Sequence, residues 1–217
     1  MESFLDGVEV SVEGFVIRGE YVLLCISDKI RTNPPYLLDR KVSFPANCPS
    51  DLKDRISHVA KQAIKATGLD NCPFHMELML TDDGPYVVEI AGRGAGFHVF
   101  SKILPWVTSV ETVDTLIDLS LGRNVSVECG PLRGAVIHFI EAEDGEVVSI
   151  TGLDDVRKMK GVFDVDIYPK LGDIVVPLTS GSDRLGYLIT MADTRHEAES
   201  VLDNALDCIT IKTKPLS

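Results

Sequence analysis

Two acidic side chains in the middle of the sequence carry its first chemical signal. Glu77 and Glu89 lie in two alternating apolar runs that are separated by the turn-forming residues 81–85, as in a β-hairpin. Both glutamates are equally far from Asp83, so a symmetric hairpin places them side by side. Because two carboxylates directly opposite each other on a sheet repel, we expect a positive group between them, and a hard divalent cation fits. The alternative is an exposed hairpin face with ordinary surface charges.

Strand alternation sorts the rest of this hairpin into two faces. The apolar face is predicted to contain Met76, Leu78, Leu80, Tyr86, Val88 and Ile90. His75 and Arg93 fall on the opposite face, together with the two glutamates. Arg93 follows the second strand in a glycine-rich exit, where bare backbone and a guanidinium could both contact phosphate.

The overall composition limits the kinds of molecule that the protein is expected to bind. The sequence has 217 residues, a formal net charge of −12 and a pI near 4.8. This acidic balance argues against nucleic acid and anionic membranes as partners, although a local positive spot could still receive ATP. Five scattered cysteines without a CxxC pair are typical of reduced thiols. No apolar run approaches the roughly 20 residues of a membrane helix and no signal peptide is visible, so we expect a cytoplasmic protein.

Other strands are predicted on both sides of a proline-rich segment. A strand with one acidic face alternates Val8, Val10 and Val12 with Glu9, Ser11 and Glu13. A second hairpin is predicted from the runs 15–17 and 21–26. Residues 28–49 are predicted as a loop-rich connection that is either solvated or a strip facing an anionic ligand. The basic residues of this segment are Lys29, Arg31, Arg40 and Lys41.

Two helices are predicted to accompany the first sheet. The first has Ser50 as its N-cap and ends at Gly68, and its apolar stripe should cover the apolar side of the sheet. The second spans residues 108–121 and ends before Gly122. Its predicted stripe consists of Val113, Leu116, Ile117 and Ser120.

The sequence predicts an α+β fold in two parts. Proline and glycine interrupt the pattern near residues 125–133, which places a boundary there. Residues 1–124 would form an antiparallel sheet with helices on one face, and residues 125–217 a small α+β domain. In this second part the predicted order is β-β-α-β-β-β-α, and residues 194–197 form a capping box that opens the last helix.

The hairpin resembles the magnesium-binding end of the ATP-grasp superfamily. The resemblance rests on Glu77 and Glu89 on neighbouring strands and on Arg93 at the end of the series Glu89-Ile90-Ala91-Gly92-Arg93. Residues 1–5 resemble the hinge strand that holds adenine in that superfamily. The implied fold is the C-terminal lobe of an ATP-grasp domain followed by the small domain.

Three further segments support a subgroup of the same superfamily. Residues 9–14 and Pro35-Tyr36 are similar to members that ligate amino acids or resemble biotin carboxylase. Residues 177–187 look like the C-terminal domain of this group. The resemblance thus extends over nearly the whole sequence.

Roles for individual residues follow from the resemblance. Glu77 and Glu89 would hold one or two Mg²⁺ ions, or Mn²⁺, that bridge the ATP phosphates, and Arg93 would stabilise the transferred γ-phosphoryl group. The residues assigned to ATP itself are Glu2, Ser3, Phe4 and Leu5 at the adenine, with Glu9 and Lys29 towards the ribose or phosphates. The implied reaction is phosphorylation of a small carboxylate, followed by attack of an amine on the acyl phosphate. Positioning and charge neutralisation would supply the catalysis.

The sequence also departs from the superfamily pattern. Ala91 stands where most members have an asparagine, which removes an oxygen ligand, and Val42 stands where related ligases carry a histidine. The lobe that precedes the hinge in the superfamily is not part of this sequence, so we expect a fragment that binds nucleotide weakly and turns over little by itself. The exposed hinge edge favours a homodimer.

Two other functions remain open on these residues. One is a degenerate, non-catalytic ATP-grasp module used for assembly or ligand sensing. The other is a carboxylase resembling biotin carboxylase.

Overall fold

The computed structural model describes residues 3–216, which form two compact units. Unit 1 comprises the residues up to Lys29 and residues 44–133, and unit 2 comprises residues 30–43 and the residues from Gly134 onwards. The single boundary predicted near residues 125–133 lies where unit 1 ends, whereas residues 30–43 group with the later part of the sequence.

Strands and short helices alternate along the chain, and the α+β class is confirmed. In chain order the elements are β1 (Val8–Ile17), β2 (Glu20–Arg31), β3 (Asp39–Phe44), α1 (Ser50–Thr67), β4 (Cys72–Thr81), β5 (Gly84–Ala91), a π-helical turn (Val99–Ile103), α2 (Leu104–Thr108), α3 (Thr112–Ser120), β6 (Gly134–Phe139), β7 (Gly145–Thr151), α4 (Leu153–Val156), β8 (Val162–Ile167), β9 (Ile174–Val175), a 3-10 turn (Gly181–Asp183), β10 (Gly186–Ala192), α5 (Arg195–Cys208) and β11 (Thr210–Lys214). No helix within residues 3–216 is both long and apolar enough to cross a bilayer.

Unit 1 contains the antiparallel strand order β5-β4-β1-β2. One face packs against α1, which buries Ile56, Ala60 and Ile64 at helical spacing. The opposing sheet residues include Val12 and Met76, both fully buried. The other face of this sheet is polar and carries the candidate site.

Helix α1 confirms one predicted end signal and corrects the other. Gly68 adopts the left-handed conformation, with φ of 69°, and its N–H bonds to Ile64 O. At the start, Pro49 rather than Ser50 occupies the N-cap position, and no side chain of the described residues caps it. Since α1 already includes Ser50, this serine is a helical residue rather than a cap.

Of two other predictions about unit 1, one is confirmed and one is wrong. The second hairpin is formed, since Phe15 pairs with Val22 and Val16 with Tyr21, although its first arm is the end of the continuous strand β1 rather than a separate element. Ser109 takes a left-handed conformation with φ of 62°, which ends α2, and α3 restarts at Thr112. The restart changes the buried face: Val113 and Ile117 are 41% and 48% exposed. The buried positions of α3 are Thr112 and Leu119.

The segment predicted as a loop-rich connection contains strand structure at both ends. Lys29 and Arg31 belong to β2, and β3 follows at Asp39–Phe44. The buried side chains of Val42 and Phe44 explain β3. The prolines Pro34 and Pro35 lie in the turn between the two strands.

Unit 2 contains the strand order β3-β6-β10-β8, in which β10 is antiparallel to both β6 and β8, and the smaller antiparallel sheet β11-β7-β9. Helix α5 packs on the core of this unit through Ala198, Leu202 and Ala205. The predicted capping box is confirmed, because Thr194 Oγ1 accepts from Glu197 N and Thr194 N donates to Glu197 Oε2. The sequence prediction missed β11.

Candidate active site

Glu77 and Glu89 face each other across two neighbouring strands. The register pairs Glu77 on β4 with Glu89 on β5, and on its other side with Ser11 on β1. The predicted cross-strand pairing of the two carboxylates is therefore confirmed.

A β-bulge, rather than a symmetric turn, produces this pairing. Thr81 pairs with Gly84, so the tight turn alone would place Glu77 opposite Val88. The register shifts between Glu77 and Leu78, which inserts one extra residue in β5 and brings Glu89 into line. The tight turn also overturns part of the predicted apolar face of β5, because it pairs Tyr86 with Met79 rather than with Leu80. Beyond the bulge, Ile90 pairs with Met76, as the predicted face requires.

Acidic residues of β1 lie on the same polar face and are buried. Glu9 is 5% exposed and Glu13 is 1% exposed, so this face is not an ordinary solvated surface. Carboxylates with so little access to water need partners. The partners come from the adjacent strands, as strand alternation requires.

Five residues form a continuous series of charge contacts, which we call the charged row: Glu9, Lys29, Glu77, His75 and Glu13. Lys29 Nζ lies 2.8 Å from Glu9 Oε1 and 2.5 Å from Glu77 Oε1. His75 Nδ1 lies 2.6 Å from Glu13 Oε1, and its Nε2 lies 3.7 Å from Glu77 Oε1. Glu77 is thus held between two cations, and the expected positive group beside it is supplied by the protein itself.

The charged row shifts the protonation of its members. The interaction with His75 is the main reason that the pKa of Glu77 falls to about 2; burial opposes this shift and Lys29 reinforces it. Burial disfavours a charged His75, but the bonds to Glu13 and Glu77 outweigh it and raise the pKa of His75 to about 9. Burial raises the pKa of Glu13, with His75 opposing. At neutral pH, Glu77 is ionised and His75 is protonated.

Several buried oxygen atoms on this face could still accept a hydrogen bond or bind a cation. Ser11 Oγ, Ser27 Oγ and Glu13 Oε2 are buried without a hydrogen-bond partner among the described residues. Oxygen atoms of this kind suit a hard cation or bound water. Within residues 3–216 no group of three or more His, Cys, Asp or Glu side chains is arranged to hold a metal, so any ion at the glutamate pair would need ligands from nucleotide or water.

The hinge residues lie at a separate cleft of unit 1. Phe4 is 77% exposed, and with Leu5 it lines an open cleft of about 600 Å³ shared with Asp82, Asp83 and Tyr86. Glu2, the first residue assigned to adenine, lies outside the described residues. Ser3 is exposed.

Lys29 does not lie in the loop setting expected of it but on β2, whereas Glu9 lies on a strand as predicted. Both side chains are 5% exposed, and they contact each other. The predicted strip of basic residues is therefore not formed as a unit, since Arg40 instead pairs with Glu141 in unit 2.

Arg93 lies in the exit after β5. Its side chain is exposed, and Nη1 donates to Gly94 O at 3.1 Å. Gly94 is required for packing, because a Cβ there would lie 2.2 Å from the ring of Phe100. Phe97 and His98 then adopt left-handed backbone with φ of 48° and 63°, a strained pair that no local sequence signal predicts.

Comparison with known proteins finds two matching domains. Residues 1–100 match the model of the ATP-grasp domain, and residues 138–214 match the model of the L-amino acid ligase C-terminal domain 2. Together the two matches make the chain similar to ATP-grasp ligases of the L-amino acid ligase type.

Individual relatives support this similarity. A crystal structure of L-amino acid ligase from Bacillus licheniformis superposes with a TM-score of 0.85 at 25% identity, covering 97% of this chain and 53% of the ligase. An L-arginine-specific L-amino acid ligase from Bacillus subtilis is 24% identical over 149 residues, which is 68% of this chain and 36% of that protein. The uncharacterized protein y4rH of Sinorhizobium fredii is 27% identical over 217 residues, 96% of this chain and 45% of y4rH. The chain therefore spans about half the length, or less, of the relatives it matches.

Ala91, which stands where most of the superfamily has an asparagine, lies close to the glutamate pair. It pairs with His75 across β4 and β5, two residues along each strand from Glu77 and Glu89. A methyl group stands there in place of the amide oxygen expected from the superfamily. His75 was placed on the right face by strand parity, but its ion pair with Glu13 was missed, because the sequence does not show which strand adjoins β4.

Proposed function

We propose that this chain contributes the metal-binding half of an ATP-dependent carboxylate–amine ligase. The observation that carries the proposal is the Glu77–Glu89 pair, directly opposed on β4 and β5 with Glu77 ionised at neutral pH. Like charges directly opposite each other destabilise a sheet. Lys29 and His75 offset the charge of Glu77, and a bound cation would offset that of the exposed Glu89 as well. The hard oxygen donors fit Mg²⁺ or Mn²⁺, and a bound ion would neutralise and orient the ATP phosphates.

The protein's own residues would prepare the site for the ligand. Lys29 and His75 hold Glu77 Oε1 from two sides, so this carboxylate stays charged and oriented without a bound ion. Glu89 is exposed and remains accessible. Arg93, also exposed, would swing from Gly94 O towards the transferred phosphoryl group. The exposed Phe4 and the neighbouring Leu5 would receive the adenine.

The proposed reaction joins a carboxylate to an amine through an acyl phosphate. The substrate carboxylate oxygen would bond to the γ-phosphorus as ADP leaves, and the amine would then attack the acyl carbon as phosphate leaves. Amino acids are the proposed substrates, because the relatives that match include proteins named L-amino acid ligases. Catalysis would consist of positioning and charge neutralisation.

A second candidate function has its own support. Lys29 Nζ already supplies a cation to Glu77, and Ala91 removes a metal ligand expected in the superfamily. Both features suit a module that binds a ligand without catalysing a reaction. This candidate predicts that nucleotide binding, if any, does not depend on Mg²⁺.

Calorimetry of ATP binding with and without Mg²⁺ tests the proposal. The proteins to compare are the unmodified chain, Glu89→Gln, and Glu128→Gln as a control that removes the same charge from an exposed position outside the site. We expect binding that requires Mg²⁺, is weakened at least about 10-fold by Glu89→Gln as expected for a lost charged ligand, and is unchanged by Glu128→Gln.

Two results would contradict the metal-binding role. ATP binding of equal strength in Mg²⁺ and in EDTA would favour the non-catalytic module. Equal weakening by both substitutions would mean that net charge, rather than Glu89 as a ligand, controls the affinity. Electron paramagnetic resonance of Mn²⁺ gives an independent readout of the ion itself.

A further inference from the structure

A cavity of about 300 Å³ lies within unit 2, and none of its lining residues belongs to the charged row. Its walls are partly apolar, formed by Phe139, Ile140, Val175, Leu178 and Leu185. A mostly apolar cavity with a few polar groups is the usual form of a small-molecule site. The polar groups therefore decide what it would bind.

Arg184 is the distinctive polar group of this cavity. Its guanidinium carbon lies 3.6 Å from the ring centroid of Phe139, and its Nη2 donates to Asp39 O at 2.9 Å. Its Nε is buried and has no hydrogen-bond partner among the described residues. Burial lowers the pKa of Arg184, with the negative charge of Asp39 opposing. Arg184 is half-buried, and a buried donor such as its Nε is costly to leave unpaired unless an anion accepts from it.

The other ionised groups of the lining are matched or exposed. Arg40 and Glu141 form a bidentate pair, with Arg40 Nη2 at 2.6 Å from Glu141 Oε2. Asp183 Oδ2 accepts from Thr179 N and from Ser180 N within its own turn. Asp144 is exposed. Arg184 is thus the cation in this lining whose charge has the least compensation.

We propose that the unit 2 cavity binds a small carboxylate with an apolar body, whose carboxylate accepts from the Arg184 guanidinium. The apolar body would lie against Leu178 and the other apolar walls. A single planar guanidinium suits a carboxylate, whose one negative charge it balances. A phosphate dianion would bring a second charge close to Glu141, Asp144 and Asp183 without a second unpaired cation. The site is independent of the proposed Mg²⁺–ATP role of unit 1.

Nuclear magnetic resonance with matched probes tests this site on the whole chain. 4-Methylpentanoate offers a carboxylate and a branched apolar body, and 4-methylpentanamide is its neutral isostere. We expect the acid at millimolar concentration to shift the Arg184 Nε–H signal in a saturable way, and the amide to leave it in place. Loss of that signal in Arg184→Lys assigns it.

Substitutions separate the guanidinium from general charge. Arg184→Gln should weaken binding of 4-methylpentanoate at least about 10-fold, while Arg157→Gln, which removes an exposed arginine of unit 2 outside the cavity, should leave it unchanged. Because Arg184 also supports Asp39 O, the thermal stability of each variant is measured, and Arg184→Lys keeps the charge if Arg184→Gln fails to fold.

Three results would overturn the proposal. They are equal binding of the acid and the amide, undiminished binding of the acid by Arg184→Gln, and no shift of the Arg184 signal at the highest soluble concentration of the acid. A third probe identifies the source of the carboxylate. Tighter binding of L-leucine than of 4-methylpentanoate would identify an amino-acid site, and weaker binding a site for simple carboxylic acids. Either order, with the amide inactive, supports a carboxylate ligand.

Discussion

On one face of the unit 1 sheet, Val12 and Met76 are fully buried beside α1, and on the other face Glu9 and Glu13 are 5% and 1% exposed. These four side chains are excluded from water almost equally, but the energetics of their burial differ. Burial of the apolar face releases water from hydrocarbon and stabilises the fold. Burial of the carboxylates costs desolvation, which their ion pairs only offset.

The difference indicates what each face is for. An apolar residue in place of a buried ion pair is often neutral or stabilising, so stability alone gives no reason to keep Glu9, Glu13 and Glu77. Buried oxygens that lack partners, such as Ser11 Oγ, add to the cost. The apolar face holds the sheet together, and the cost of the polar face is in keeping with the proposed role of its charges in binding a ligand.

The largest expected effect comes from removing the cation of the polar face. Lys29→Met leaves Glu9 and Glu77 without their shared partner and should lower the free energy of unfolding by about 3–5 kcal/mol. Urea denaturation at neutral pH measures it. The double variant Lys29→Met/Glu77→Gln should lose less stability than the single variant, because one of the two carboxylates that Lys29 contacted no longer carries a charge. A loss below about 1 kcal/mol, typical of surface pairs, would mean that the polar face is solvated and the comparison fails.

A similar but smaller loss is expected from the apolar face. Met76→Ala creates a cavity beside α1 and should cost about 3 kcal/mol, within the range for buried methionines. Met76→Leu preserves the volume and should cost less than about 1.5 kcal/mol. Both follow from the same urea titration. Unlike Lys29→Met, the Met76→Ala loss should not change with salt, because no charge is involved.

The two faces should also differ in their dependence on pH. The pKa of His75 is raised from 6.5 to about 9, so its contribution to stability is complete below pH 6.5 and is lost as the pH rises through about 9. At about 1.36 kcal/mol for each pKa unit, the full loss is up to roughly 3 kcal/mol.

Denaturation between pH 6 and 10 in EDTA measures this slope. His75→Gln should flatten it, and His58→Gln, which changes an exposed histidine on α1, should not. The same slope in wild type and His75→Gln would show that another group titrates. A direct check is the His75 ring signal in nuclear magnetic resonance, which should titrate near pH 9.

The sequence predicted the apolar face better than the polar one. Helical spacing located Ile56, Ala60 and Ile64, and Gly68 marked the end of α1, because these signals are local. Strand parity alone placed Glu77 and His75 on one face. The prediction failed at Val113 and Ile117, where a left-handed Ser109 restarts the helix with another face inward.

The contacts of the polar face could not be predicted, because they depend on strand order and register. Nothing in the local sequence tells that β1 lies between β2 and β4, or that Lys29 reaches past Ser11 to Glu77. The bulge that aligns Glu89 with Glu77 could not be predicted either. The assumed symmetric hairpin led to the correct Glu77–Glu89 pair, although the actual turn is tighter and the bulge restores the pairing. Long-range pairing of this kind is a property of the folded sheet rather than of any window of sequence.

The smallest expected change in stability is at Glu89. Glu89 is exposed, so Glu89→Gln creates no buried defect, and relief of the cross-strand repulsion with Glu77 should stabilise the metal-free protein by about 0.2–0.5 kcal/mol. Thermal melts in EDTA measure this, with Glu128→Gln as the control that removes a charge without a cross-strand glutamate. Added Mg²⁺ or Mn²⁺ should raise the melting temperature of the unmodified chain and of Glu128→Gln through binding to the folded state, but not that of Glu89→Gln. If Glu89→Gln instead destabilises the metal-free sheet as much as a core substitution does, Glu89 is a structural residue, and the polar face serves the fold in the same way as the apolar one.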